Sequence, residues 1–326
     1  MAIILVLISC NRNPYLVDIQ GESAAIEIKR LEMELFEGDP FNVPLKKEQF
    51  TGRYGEFVKL FGYVINIGNI ENEDWDENLV SFITDKMNYD VYQAVIELYP
   101  DLESVEEELS DAMSYYRYYF PDSDIPNFYS FISGFNNSIV VGDSTLAIGL
   151  DRYLGADSKY YPMLGIYAYM SRKMIPERIV PDCIYALAKT TWDEENERDM
   201  DLLDAMLYEG KLLYFSRCMQ PLIEDSLLFG FSTVQWQFCR NNERQMWDYL
   251  VEHDLLFTTD PLTVKKFTGE APFTSYFTNE SPGRAAVWLA FRIIESYMRN
   301  NPEVTLGQLM QNRDYQDILA NARYSP

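Results

Sequence analysis

Phe128-Tyr129-Ser130-Phe131-Ile132, Ile139-Val140-Val141-Gly142-Asp143 and Thr145-Leu146-Ala147-Ile148-Gly149-Leu150 decide the fold class of this chain. Each run is short, rich in β-branched and aromatic residues, and bounded by Gly, Asn or Asp, so the three read as successive strands of a small sheet. Upstream, Ile26-Glu27-Ile28-Lys29-Arg30 alternates with period two and reads as another strand. Ahead of the three runs the period changes. From Leu102, apolar Val105, Leu109, Ala112, Met113, Tyr116 and Phe120 recur at three and four, with Glu103, Glu106, Glu107 and Glu108 at the start and Pro121 at the end. That is an amphipathic helix with its acids at the favourable end of the dipole.

Beyond Leu154 the helical period dominates to the end of the chain. In Ile179-Val180-Pro181-Asp182-Cys183-Ile184-Tyr185-Ala186-Leu187-Ala188-Lys189, Pro181 suits the first helical position and little polar face remains, so this helix is expected to be buried. From Glu280 to Asn300, Ser281 and Pro282 read as a cap and first-turn pair. Val287, Ala290, Phe291, Ile294 and Met298 then share a face, and Arg292, Glu295 and Arg299 are spaced for helical ion pairs. The fold class is therefore α+β and mostly helical. One globular domain spans 25–326, with a strand-containing part over 25–155 and a helical part over 156–326.

The apolar run Ile3-Ile4-Leu5-Val6-Leu7-Ile8 ends in Leu7-Ile8-Ser9-Cys10, the order of a bacterial lipobox: branched apolar residues, a small residue, then the cysteine that is acylated before cleavage. On that reading residues 1–9 are a signal segment, Cys10 carries lipid, and 10–24 form a polar tether. A buried first strand with an ordinary cysteine is the alternative. The run is short and no Lys or Arg precedes it, which leaves the true start open. No later uncharged apolar run approaches the roughly 18 residues needed to span a bilayer, so the expected state is anchored rather than spanning.

With 47% apolar and 15% aromatic residues in 326, the chain can bury a large core. Its 27 basic and 51 acidic residues give a net charge of -24, which opposes phosphate backbones and excludes nucleic acid as an expected partner. Cys183, Cys218 and Cys239 have no CxxC spacing and read as small buried thiols, with a Cys218 to Cys239 disulfide as the lesser possibility.

Chemistry is limited by what is missing. The single histidine, His253, rules out HExxH, three-histidine and Cys2His2 zinc sites. His253 shares a helical stripe with Met246, Leu250 and Phe257, which favours a packed structural role over a dyad with Cys239. Gly142-Asp143-Ser144-Thr145-Leu146 lacks the second glycine of a nucleophile elbow, and no phosphate-binding glycine loop occurs. The acidic runs Glu73-Asp74-Trp75-Asp76-Glu77 and Asp193-Glu194-Glu195-Asn196-Glu197 lack calcium-loop spacing and read as solvated loops. No metal and no cofactor is expected.

Several stretches occur in a combination that resembles one family. They are Ile26 to Arg30 followed by Leu35-Phe36-Glu37-Gly38-Asp39-Pro40, then Tyr118-Tyr119-Phe120-Pro121, Leu150-Asp151-Arg152-Tyr153-Leu154-Gly155, Ile179-Val180-Pro181-Asp182 and Asn279-Glu280-Ser281-Pro282-Gly283-Arg284. Together they resemble the gliding-motility lipoprotein B (GldB) family, from the lipobox to about Leu309. The resemblance implies a periplasm-facing envelope lipoprotein, in the outer membrane rather than the inner, that serves gliding-type surface or secretion machinery or its maintenance. Members occur in non-gliding relatives too.

That family in turn resembles zinc-dependent peptidases whose HExxH helix precedes a Pro-Gly-Arg-type helix. The analogy implies a degenerate zincin-like domain in which the helix near Pro181 offers Asp182 and Cys183 but no histidine. A groove between the strand at Ile139 to Asp143 and that helix would remain, able to take an extended peptide. Asp182, Glu280, Ser281, Gly283 and Arg284 are the candidate groove residues, with Glu280 and Arg284 as a buried pair. The expected function is non-catalytic: a binding or structural lipoprotein with an envelope protein partner. The alternative is a hydrolase using a carboxylate or thiol arrangement without zinc, against which a cysteine in a buried helix argues.

Overall fold

The computed structural model describes residues 13–42, 47–194 and 200–326. Cys10, the signal segment and Glu195-Asn196-Glu197 lie outside them. Four strands form one sheet: β1 (Ile28–Arg30), β2 (Asn127–Phe131), β3 (Ile139–Gly142) and β4 (Thr145–Gly149), in the order β1-β2-β4-β3. β1 runs parallel to β2 with Ile28 opposite Phe128, and β2 runs parallel to β4 with Phe128 opposite Leu146. Only β3 and β4 form a hairpin, antiparallel with Gly142 opposite Thr145. Parallel neighbours cannot be joined by a tight turn. The long connection from β1 to β2 therefore carries six helices: α1 (Leu31–Phe36), α2 (Lys47–Tyr54), α3 (Phe57–Val64), α4 (Trp75–Thr84), α5 (Lys86–Leu98) and α6 (Glu103–Tyr119).

The part over 25–155 carries all four of these strands but is itself largely helical, and the strand near Ile26 is confined to Ile28–Arg30. Those helices cover the sheet. Tyr129 and Phe131 share one face of β2, and Phe57 stacks on Tyr129 at 4.9 Å while Phe61 meets Phe131 edge-on at 6.0 Å. β4 is buried along its whole length, as a parallel strand covered on both faces must be.

After β4 come α7 (Tyr160–Met163), α8 (Ala168–Ser171), α9 (Ile179–Thr191), α10 (Leu202–Met219), α11 (Asp225–Phe229), α12 (Thr233–Asn241), α13 (Glu243–Glu252), α14 (Pro261–Thr268), α15 (Ala285–Asn300), α16 (Leu306–Gln311) and α17 (Tyr315–Ala322). α10 and α15 pack along their lengths at the centre of this half. A Cβ at Gly210 would come within 2.8 Å of the Ala290 carbonyl carbon, so glycine there lets the two backbones approach. α10 is buried on nearly all sides and carries Lys211 into the core, where its Nζ meets Glu194 at 3.0 Å and the Asn312 carbonyl at 2.8 Å. Glu194 also accepts from Tyr315 Oη at 2.9 Å. Glu194 is thus a buried partner for a core lysine rather than part of a solvated loop, because a buried ammonium needs a matched anion.

Two further expectations change. The segment up to residue 24 does not hang free from Asn13 onward. Asn13 Nδ2 donates to the Pro221 carbonyl at 2.8 Å, Tyr15 packs edge-on against Tyr214 and bonds Glu295, and the Ala24 N–H donates to Ser114 Oγ at 3.1 Å. Residues 13–24 are therefore part of the packed domain and not of a tether. His253 is exposed at the end of α13, stacked on Tyr249 with ring centroids 4.1 Å apart, because the helix stops before the stripe reaches Phe257. Among the described residues no helix is long and apolar enough to cross a membrane.

Candidate functional site

α9 packs against β3 and β4 on one side and α10 on another, as its apolar face requires. It begins at Ile179, two residues before the expected start. Pro181 is still tolerated because the first-turn N–H groups have no helical partner. Pro181, Asp182 and Tyr185 are the α9 residues that line a cavity of about 250 Å³. Its other walls come from Ser138 at the approach to β3, from Arg152 and Tyr153 after β4, from α8 and the residues following it, from Leu228 to Phe231, and from Glu270 and Arg284. A second cavity of about 200 Å³ adjoins it through Lys173, Arg178 and Phe231, and reaches Ala271, Pro282 and Gly283. The expected groove between the strand at 139–143 and the helix is filled, since β3 packs directly on α9. The open space lies past the strand's first residue, at Ser138.

Polar groups in this cleft are held in pairs. Arg178 bonds one oxygen of Asp182, and Tyr153 Oη donates to the other at 2.9 Å. Arg284 bonds Glu209, which also accepts from Tyr185 Oη at 2.5 Å, and reaches Glu270 at 3.2 Å. Lys173 Nζ donates to Glu270 at 2.6 Å. Burial acts to raise the Glu270 carboxyl, but Lys173 and Arg284 outweigh it and hold the group below its ordinary range. The Tyr153 hydroxyl is pushed up by burial and then by Asp182 beside it, and Tyr185 is pushed up by burial, so both stay protonated donors.

The 280–284 turn is built differently from its expectation. Ser281 is buried and does not cap α15; its hydroxyl donates to the Thr278 carbonyl at 2.6 Å. The cap comes from Thr274, whose Oγ1 accepts from the Ala285 N–H at 3.1 Å and donates to the Pro282 carbonyl at 2.8 Å. Arg284, in the left-handed region with φ 61°, is the residue from which α15 starts. Glu280 is exposed and makes no pair with Arg284, whose carboxylate partners are Glu209 and Glu270. Gly283 faces the Ala271 backbone, and a Cβ there would lie 2.2 Å from its carbonyl oxygen. Of the candidate residues, Asp182 and Arg284 meet in the larger cavity and Gly283 lines the smaller. Ser281 braces the turn and Glu280 stands apart.

Arg152, Tyr153, Lys173, Arg178 and Glu270 were not among the candidates, although two of them lie in the Leu150-to-Gly155 motif. That motif divides its labour. Asp151 is fully buried and accepts from the Ser133 and Phe135 N–H groups, fixing the loop ahead of β3, while Arg152 and Tyr153 point their chemistry to the cleft wall. No single-sequence period marks them. A run of Asp, Arg and Tyr at a strand's end was the available signal.

Cys183, Cys218 and Cys239 are buried and unpaired with one another, and burial pushes the Cys183 thiol well above its usual range. Among the described residues no group of three or more His, Cys, Asp or Glu side chains is arranged to hold a metal ion.

The sequence model of the family described as gliding motility protein GldB matches residues 12–326. No curated protein matches the chain, and no solved structure does.

Proposed function

Because the chain belongs to the gliding motility protein GldB family, we propose that it is a lipid-anchored envelope component of gliding-type surface or secretion machinery, working through its cleft by binding and not by catalysis. Cys10 carries the lipid, and the domain faces the periplasm, from the outer membrane in preference to the inner. The protein partner is taken up in the space bounded by α8, α9 and the 270–284 segment.

One observation carries the non-catalytic reading. The cleft-facing positions of α9 are i, i+1 and i+4, the spacing of an HExxH zinc helix, and they hold Pro181, Asp182 and Tyr185. Zinc needs imidazoles at the outer two positions, and a water-activating base needs a free carboxylate oxygen at the middle one. Both oxygens of Asp182 are already occupied by Arg178 and Tyr153. The same spacing, together with the placement of α9 against an antiparallel edge strand, supports descent from a zincin-like domain whose site has been rebuilt from structural pairs. The hydrolase alternative has no comparable support, since all three described thiols are buried.

The test is a photo-crosslinker at position 170 of the full-length chain in its own envelope. The binding reading expects a discrete adduct with one envelope protein, lost when Arg284 is changed to Ala in the same chain. Absence of any adduct from the cleft, alongside adducts from an exposed position such as 257, would overturn it.

A further inference from the structure

The charge of the cleft runs against the charge of the chain. Overall, 51 acidic residues outnumber 27 basic ones, roughly two to one. The two adjoining cavities reverse that ratio, with Arg152, Arg172, Lys173, Arg178 and Arg284 in their walls against Asp182 and Glu270. Most of these cations are engaged: Arg178 with Asp182, Lys173 with Glu270, and Arg284 with Glu270 and Glu209. Arg172 is exposed at the outer rim, its Nε on the Ala168 carbonyl.

Arg152 is different. Half-buried in the wall of the larger cavity, it gives Nε to Ser138 Oγ at 3.2 Å and Nη1 to the Phe135 carbonyl at 3.2 Å, and among the described residues no ion pair includes it. A guanidinium has five N–H donors, so most of this fork is uncommitted. Beside it the wall is apolar, formed by Met170, Met174, Leu228, Phe229 and Val287. Burial lowers the Lys173 ammonium, and the neighbouring Arg284 and Arg178 add to that while Glu270 opposes it.

One uncommitted guanidinium in a partly desolvated pocket matches a single planar anion, a carboxylate, which it can grip through two parallel hydrogen bonds. A doubly charged phosphate would exceed the positive charge on offer there. Ser138, the residue before β3, lines the same cavity, so a chain seated at Arg152 ends beside the start of that strand.

We propose that the larger cavity receives the C-terminal carboxylate of an extended peptide chain ending in an apolar residue, with Arg152 gripping the carboxylate and the Met170 to Phe229 wall seating the last side chain. This rests on the reading of the cleft as a protein-binding groove.

The test uses the full-length chain in detergent and a pool of randomised hexapeptides ending in Leu, prepared once as free acids and once as C-terminal amides. Retained sequences are identified by mass spectrometry and their affinities measured calorimetrically. The acids should bind at least tenfold more tightly than the matching amides, and Arg152→Gln should bring that ratio close to one. Arg152→Lys should restore part of the difference. Met170→Trp, which fills the seat and leaves Arg152 and its loop bonds in place, should weaken acids and amides alike; its urea midpoint is checked alongside.

Equal binding of acid and amide by the wild-type chain would overturn the carboxylate assignment and leave the groove reading standing. Retention of neither pool would overturn both. Displacement of the acid peptide by inorganic phosphate at lower concentration than by acetate would assign the site to phosphate instead.

Discussion

Arg284 joins the backbone start of α15 to the ion pairs of the cleft, and two substitutions at this one position separate the two roles. Arg284→Ala removes the bonds to Glu209 and Glu270 and leaves Glu209, 8% exposed, with Tyr185 Oη at 2.5 Å and Lys189 at 3.9 Å. Breaking one side of a buried pair costs about 3 to 5 kcal/mol. The side chains here are 18% and 11% exposed, so about 3 kcal/mol is expected. Arg284→Gly loses the same contacts but relieves a Cβ at φ 61° and ψ 29°. A left-handed residue with a Cβ costs about 1 to 2 kcal/mol, and the extra unfolded-chain freedom of glycine takes back about half of that. The glycine variant should therefore be about 0.5 to 1 kcal/mol more stable than the alanine variant, despite being the smaller residue. Urea unfolding of the full-length chain, with m-values compared to confirm a like transition, measures both differences. An alanine variant within 0.5 kcal/mol of wild type would refute the ion-pair argument, taking about 0.5 kcal/mol as the ordinary scatter of surface changes. A glycine variant less stable than alanine would refute the backbone argument.

Gly283→Ala should destabilise by about 1 to 3 kcal/mol through overpacking against the Ala271 backbone, read as a lowered urea midpoint; an unchanged midpoint would mean that the 271 segment yields freely. Glu32 is fully buried, and burial raises its carboxyl while Arg30 and the Ser130 hydroxyl pull it down. A folded-state pKa above the unfolded one means that the folded chain binds the proton more tightly, so this group's contribution to stability falls as pH rises from about 4 through the raised value. Glu32→Gln should flatten that slope in urea midpoints taken between pH 4 and 8, and an unaltered or rising slope would contradict it. Labelled palmitate should enter the wild-type chain and be absent from Cys10→Ala, whereas equal labelling of both would remove the lipid anchor at that position.

Much of the fold could be read from local pattern, where one face of an element is apolar and the other polar. The helix now bounded as Glu103–Tyr119 and the three strands near Phe128, Ile139 and Thr145 were legible for that reason. α3 carries the helical signal too, with Phe57, Leu60, Phe61 and Val64 at i, i+3, i+4 and i+7, although eight residues give it only two turns. α5 likewise shows Asp85 as its cap and Val91, Tyr92 and Val95 at helical spacing. Pairing order was beyond reach, because β1 finds β2 across six helices.

The site was half legible for a related reason. Asp182 and Arg284 stand in motifs that can be seen in one dimension. Their partners do not: Arg284 meets residues 75 and 14 positions away, and Tyr153 reaches Asp182 across 29. Ser281 and Pro282 have the look of a helix start, but Thr274 had already taken the capping role from outside the helix, which moved the start to Ala285.

The binding claim is tested most directly by complementation, with full-length variants expressed in cells lacking their own copy and membrane abundance measured beside the gliding or envelope phenotype. Asp182→Asn and the single changes Cys183→Ala, Cys218→Ala and Cys239→Ala should support function in proportion to their abundance, while Met170→Trp, which fills the cleft, should abolish function at normal abundance. Full function from Met170→Trp, or loss of function from the Asp182 or cysteine variants with fold and abundance intact, would contradict a non-catalytic binding cleft.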